Sequence, residues 1–486
     1  MRICTCCHNL RRPSLHDCRR TALESAMTDT TLGTWCREII KLATPILGVR
    51  VLHIAVNVIG MLLIARLGPS EVAAGALVTV LCTSIQVIAL SPLLATGICI
   101  ARRLGQGQAT GVGVDLRQGL FMSVAIGVLA ALALLALPTL MPLLGEPEAL
   151  QALTADYWRA MAWGMPPFLC TACCHQLFFP AGKGRLVMVF SAINLAGVLL
   201  LGTALLHGAW GLPALGMAGW AHAVSTMNWV VLLLTLGYLA LAPAMRPYQL
   251  FTREQLWAPD RLKAFFVLGV PITVQFASEL LAFSLVNIMV GWLGVGALSV
   301  QQIVIQCATV ALMIPMGAGQ ACTLLISRAM GRGDGQAVRR IGLAATVLVG
   351  AVMAALALVY LLLPRPIIDA YLDPARADYP TLAALATGML AVVAFSQALD
   401  ALRNLMLSAL RGLPDIWGPM WLNMALLWVL GMPLCYLLAF PGGLGLWGIN
   451  GGLLLAFGLG AVLMLGRFHQ RTAPLSAVPA RQPVHE

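Results

Sequence analysis

The sequence predicts an all-α integral membrane protein of about twelve transmembrane helices, arranged as two six-helix lobes related by a parallel repeat. Three observations carry that expectation. Of 486 residues, 60% are hydrophobic and only 10% charged, with mean hydropathy +0.87; a soluble domain usually has about 25% charged residues to coat it. Apolar runs recur that are long enough for helices crossing a hydrocarbon core about 30 Å thick, which takes about 20 residues each. Glycines and prolines then recur at a constant offset of 226: Pro45 with Pro271, Gly68 with Gly294, Gly105 with Gly331.

Taken in order, the apolar runs place helices near 36–66, 72–101, 117–143, 153–180, 186–206 and 215–243. A second set falls near 262–293, 297–328, 338–364, 380–410, 416–440 and 445–467. The chain therefore divides into a flexible tail (1–35), a first lobe (36–243), a polar linker (244–261), a second lobe (262–467) and a flexible tail (468–486). Six helices per lobe give both lobes the same orientation, and such repeats hold their solute between them. Helix-interior prolines Pro45, Pro92, Pro271 and Pro315 remove backbone hydrogen bonds and bend helices.

The net charge of +11 excludes little by itself, but its distribution is informative. Alternate connections hold Arg102, Arg103 and Arg117, then Lys183 and Arg185, then Arg246, Arg253, Arg261 and Lys263. Arg328, Arg332, Arg339 and Arg340 follow, then Arg411, then Arg467, Arg471 and Arg481 in the last tail. The intervening connections have only Arg66, Arg159, Arg365 and Arg376 at or near their ends. Basic connections face the cytoplasm, so both termini are expected there. Orientation accounts for the basic residues, and no nucleic-acid partner is expected.

Cys82, Cys99, Cys307, Cys322 and Cys435 lie in apolar segments and read as small buried hydrophobes, and Cys170, Cys173 and Cys174 share one such segment. The cluster of Cys4, Cys6, Cys7 and His8 lacks a second ligand pair at zinc-finger spacing, so no firm metal site is expected. Residues before Met27 lack the apolar stretch of a signal peptide and are expected to be disordered or to precede the true start.

Acidic groups at membrane depth cost at least about 2.5–3.5 kcal/mol and mark solute or ion pathways. Only Glu279 and Asp400 fall well inside the expected helices, both in the second lobe. Such a pair can hold a proton, a Na+ or a cationic solute. Arg403 lies one turn from Asp400, on the same helix face. Arg50, His53 and Asn57 on the first helix are candidates for lining a cavity, as are Ser278, Asn287, Gln301, Gln302 and Gln397 near the acids. His175 and His222 also sit within helices. Interhelical hydrogen bonding is the competing role for each polar residue. No P-loop lysine motif, HExxH or GxSxG occurs, so neither an enzyme nor a built-in ATP-driven pump is expected, and no cofactor.

Several motifs, in order, resemble the multidrug and toxic compound extrusion (MATE) family in its NorM-like bacterial branch. They are KLATP (41–45), Leu67 with Gly68, YWRA (157–160), WGMP (163–166), GLP (211–213) and GMAG (216–219). The second lobe adds LGVP (268–271) with Glu279, Asp400 with Ala401, ALRG (409–412) with Asp415, and GMP (431–433). The resemblance implies two six-helix lobes around a central cavity, and export of drugs or toxic organic cations by antiport with Na+ or H+. It also implies that the family's second-lobe acidic positions fall on Glu279 and Asp400. One position departs from the pattern: where the family carries a first-helix acid, this chain has Gly60, with Asn57 one turn away. The protein is expected in the cell (inner) membrane, in contact with lipid and a small-molecule substrate, and as a monomer. The alternative is a flippase for lipid-linked precursors or an exporter of an endogenous metabolite.

Overall fold

The computed structural model describes residues 31–144, 148–250, 258–371 and 379–477. The Cys4–His8 cluster and the start expected at Met27 lie outside these residues. Within them the chain is built from helices. The first lobe comprises α1 (Leu32–Ile64), α2 (Pro69–Leu90), α3 (Leu94–Gly105), α4 (Ala109–Leu140), α5 (Glu148–Ala162), α6 (Met165–Phe178), α7 (Gly184–His207) and α8 (Met217–Leu241). The second comprises α9 (Pro259–Trp292), α10 (Val295–Arg332), α11 (Gly335–Leu362), the short α12 (Pro364–Asp369), α13 (Tyr379–Gly412), α14 (Trp417–Ala425), α15 (Met432–Ala439) and α16 (Leu446–Ala477).

Local chemistry explains the boundaries. Pro69 and Pro259 open α2 and α9 at positions where the missing N–H costs nothing. Asp334 caps α11, its carboxylate accepting from the Ala337 N–H at 2.9 Å. Gly208 and Gly333, both at φ 74°, close α7 and α10 in the left-handed conformation that glycine favours. Pro92 sits in a single 3-10 turn (Ser91–Leu93) that joins α2 to α3 as one crossing.

Eleven spans are long and apolar enough to cross a membrane, among the described residues. The twelfth crossing is the α5–α6 pair, broken at Trp163–Gly164. There the chain passes so close to α8 that a Cβ on Gly164 would lie 2.3 Å from Ser225 Oγ. Another crossing is irregular: α14 and α15 are joined by a π-helical turn at Leu426–Gly431.

Two expectations need correction. The carboxy-terminal segment does not become a tail at 468; α16 runs to Ala477. Its backbone at Leu475 packs directly on Gly335, where a Cβ would meet the Leu475 carbonyl at 2.1 Å, and Arg467 and Arg471 each donate to Asp415 at 2.9 Å. Burial works to raise the Asp415 carboxyl, but the two guanidiniums outweigh it and hold the group below its ordinary value. In addition, α4 starts at Ala109 rather than near 117, which brings Asp115 inside the fold at 1% exposure.

The lobes meet where α3 and α10 end, and there the repeat offset becomes contact. A Cβ on Gly105 would strike the Arg328 carbonyl at 2.1 Å, and a Cβ on Gly331 would strike the Arg102 carbonyl at the same distance. Only glycine permits the ends of α3 and α10 to cross this closely. Farther along the α2–α3 crossing, Gly269 of α9 packs on Pro92, Ser91 Oγ lies 3.0 Å from Thr273 Oγ1, and Ile272 joins Ile98 in a buried cluster. Arg261 of α9 reaches across to Asp115 at 3.1 Å.

Candidate functional site

The second lobe buries a charged cluster around Arg403, which is 4% exposed. Its Nε and Nη2 donate to Asp400 Oδ1 at 2.9 and 2.7 Å, and its Nη1 donates to Glu279 Oε1 at 3.2 Å and to Asn423 Oδ1. Phe457 closes the guanidinium's face at 5.1 Å, within cation–π range. Asn423 Nδ2 and Gln275 Nε2 also donate to Glu279 Oε1, at 2.9 and 3.3 Å. Arg411 in turn donates to Gln275 Oε1 at 2.8 Å and stacks over Phe276.

Three helices converge to build this. Glu279 and Gln275 are one turn apart on α9, while Asp400, Arg403 and Arg411 lie on α13 and Asn423 on α14. With both acids ionised, two carboxylates balance two guanidiniums. Such a cluster is sustainable in a dry interior because each charge has a partner. Every bond to Glu279 recorded here lands on Oε1.

A cavity of about 410 Å³ lies between first-lobe helices and α10, and no carboxylate lines it among the described residues. Arg50, His53 and His175 are on its wall, together with Asn194 and Asn228 and with α10 residues such as Met313. His53 stacks on Phe168 at 5.7 Å between ring centroids. A smaller chamber of about 60 Å³ adjoins it at the lobe interface and is lined by both Arg50 and Arg411.

The structure thus unites Glu279, Asp400 and Arg403, and places Arg50 and His53 on the cavity. The other candidates lie elsewhere. Asn57, Asn287 and Gln302 are exposed, and Gln301 accepts from Asn450 at 3.1 Å. Ser278 accepts from Trp428 Nε1 at 2.7 Å, and Gln397 is buried with its carbonyl oxygen unpartnered. None of these six lines the 410 Å³ cavity. Asn423, Gln275 and the interior placement of Arg411 were not foreseen. Arg411 had been assigned to a basic connection, but α13 continues past it to Gly412.

Gly60 has a positive structural role. A Cβ there would lie 2.4 Å from Trp220 Nε1, and one on Gly202 would lie 2.6 Å from the same indole. Trp220, 2% exposed, fills the space that a first-helix acid would need. Gly60→Asp is therefore expected to be poorly tolerated, since overpacking alone costs roughly 1–3 kcal/mol. Thermal unfolding in detergent checks this: Gly60→Asp should melt well below the parent, and Gly60→Asp with Trp220→Ala should recover part of the loss.

Comparison with known proteins gives consistent relatives. The MatE family model matches residues 45–205 and 271–437. A probable multidrug resistance protein NorM from Synechococcus sp. is 31% identical, covering 92% of this chain and 95% of that protein. A second, from Rhizobium meliloti, is 28% identical over 94% and 97%. The crystal structure of a MATE protein in a bent conformation superposes with a TM-score of 0.83 at 17% identity, covering 92% of this chain and all of the other.

Proposed function

Because the chain belongs to the MatE family, we propose that it exports drugs and other toxic organic compounds in exchange for inward-moving protons, with its two lobes opening the cavity alternately to either side. The observation that carries the proton reading is the position of Arg403. Its guanidinium already stands between Glu279 Oε1 and Asp400 Oδ1, where a Na+ bridging the two acids would have to sit. Arginine is always charged and only donates, so it occupies that place as a fixed cation. A proton needs no such space and can be taken up at Glu279 Oε2.

Glu279 is well placed to report its state to the lobe contact. It lies two turns from Ile272 on α9, the helix that also carries Gly269, Thr273 and Arg261 against the first lobe. Protonation leaves the cluster with one uncompensated positive charge, which weakens the hold of Arg403 and Asn423 on α9. A ligand shifts a two-state protein only by binding one state better, and the proton meets that condition here. Imposed gradients across proteoliposomes test the reading. Uptake of a fluorescent solute should follow a pH gradient and ignore a Na+ gradient at constant pH; the reverse pattern would assign the coupling to sodium.

We further place the protein in the cell's inner membrane as a monomer, both lobes and the cavity coming from one chain. The alternation of basic connections supports cytoplasmic termini. A cysteine introduced at Gly442, in the uncharged turn between α15 and α16, should react with an impermeant maleimide added outside intact cells. Labelling only after the membrane is broken would invert the topology.

A further inference from the structure

The cavity wall carries a guanidinium and no carboxylate. Among the described residues lining the 410 Å³ cavity there is no Asp or Glu, whereas Arg50 lines it as a fixed cation beside the imidazoles of His53 and His175. No hydrogen bond or ion pair is recorded for the Arg50 guanidinium, and Gln86 lies within reach of His53. The adjoining 60 Å³ chamber adds a second guanidinium, because Arg50 of the first lobe and Arg411 of the second both line it. Arg411 is 9% exposed and its Nε is unpartnered. His175 Nε2 and Thr171 Oγ1, both on the larger cavity, are also buried without partners. Of these, the Arg411 guanidinium can only donate, and with Arg50 it puts two fixed positive charges on one chamber, which favours an anionic group there.

The rest of the wall supplies an apolar seat. Ile46, Leu52, Phe168, Phe179, Leu312 and Met313 surround a volume in the range of drug-sized ligand pockets, about 300–1,000 Å³. Resting on the transport reading above, we propose that the cavity selects organic anions, seating an apolar body in the larger chamber and its carboxylate, sulfonate or phosphate between Arg50 and Arg411. Such a ligand joins the lobes, since its acidic group bridges a guanidinium from each. It also reaches the coupling acid, because Arg411 donates to Gln275 and Gln275 donates to Glu279. An anion drawing Arg411 toward the cavity loosens that chain, so cargo and proton occupancy are felt by the same few residues.

The test is equilibrium binding to the purified full chain in detergent, without any gradient, so that failure of proton coupling would leave it untouched. The probes are 1-pyrenebutyrate and its trimethylammonium counterpart, which share an apolar body and differ in charge. The parent protein should bind the carboxylate at least about tenfold more tightly, as expected for charge-assisted hydrogen bonds. Arg50→Gln should remove that preference, and Arg50→Lys, which keeps the charge, should retain most of it and guards against a folding defect. Equal or tighter binding of the ammonium probe by the parent would overturn the proposal. So would an Arg50→Gln protein that binds the carboxylate unchanged. Displacement of the carboxylate by phosphatidylglycerol at stoichiometric concentration would overturn it too, by making the site a lipid headgroup seat.

Discussion

Glu279→Gln is expected to reduce gradient-driven transport to the rate of protein-free liposomes while leaving the fold in place. The separation follows from the hydrogen bonds. Arg403, Asn423 and Gln275 all donate to one oxygen of Glu279, and a glutamine carbonyl accepts from the same three donors with the same shape. Titration, and with it the differential affinity that drives the exchange, is lost. Neutralising Glu279 leaves one guanidinium in excess, but Arg403 keeps Asp400 at 2.7 Å, so the melting temperature should fall by only about 3–6 °C, on the scale of roughly 2–4 °C per kcal/mol for a domain of this size. A variant that melts early and transports poorly would assign Glu279 a structural role instead.

Arg403→Ala should behave in the opposite way, with stability failing first. Removing one partner of a buried ion pair leaves the other charge uncompensated and costs about 3–5 kcal/mol. Here one guanidinium serves two carboxylates, with Asp400 at 1% exposure, so the second lobe should lose roughly 10 °C in melting temperature. Adding Asp400→Asn should return part of the loss, because the most deeply buried orphaned charge is then gone. Scanning fluorimetry of the two variants against the parent decides it. Equal melting of the double and single variants would mean that Arg403 supports the lobe through packing on Phe457 rather than through charge.

Much of this architecture was legible in the sequence because membrane helices announce themselves by length and by the scarcity of charge. The offset of 226 between Gly105 and Gly331 marked a repeat of two lobes, and the structure turns it into two reciprocal backbone contacts. Glu279 and Asp400 stood out because an acid at membrane depth needs a reason. Their partners did not stand out. Asn423 and Gln275 are ordinary polar residues in apolar runs, and only the convergence of α9, α13 and α14 gives them a carboxylate and a guanidinium to hold. Arg411 was misplaced because a basic residue just before a glycine at the end of an apolar run looks the same in a connection and in a helix's last turn. The break at Gly164 and the filling of the Gly60 space by Trp220 are tertiary events, set by α8 packing against two other elements. Cavity polarity was partly visible in Arg50 and His53, but the contribution of Arg411 from the other lobe required the fold.

The most direct measurement of the central claim is proton release or uptake on solute binding, followed with a pH-sensitive dye in weakly buffered detergent solution for the parent and for Glu279→Gln. A solute and a proton linked through Glu279 must change each other's occupancy, so the parent should change its proton occupancy when solute is added and Glu279→Gln should not, at equal solute occupancy. An unchanged proton signal in the parent, or an equal signal in both proteins, would contradict coupling through the second-lobe cluster.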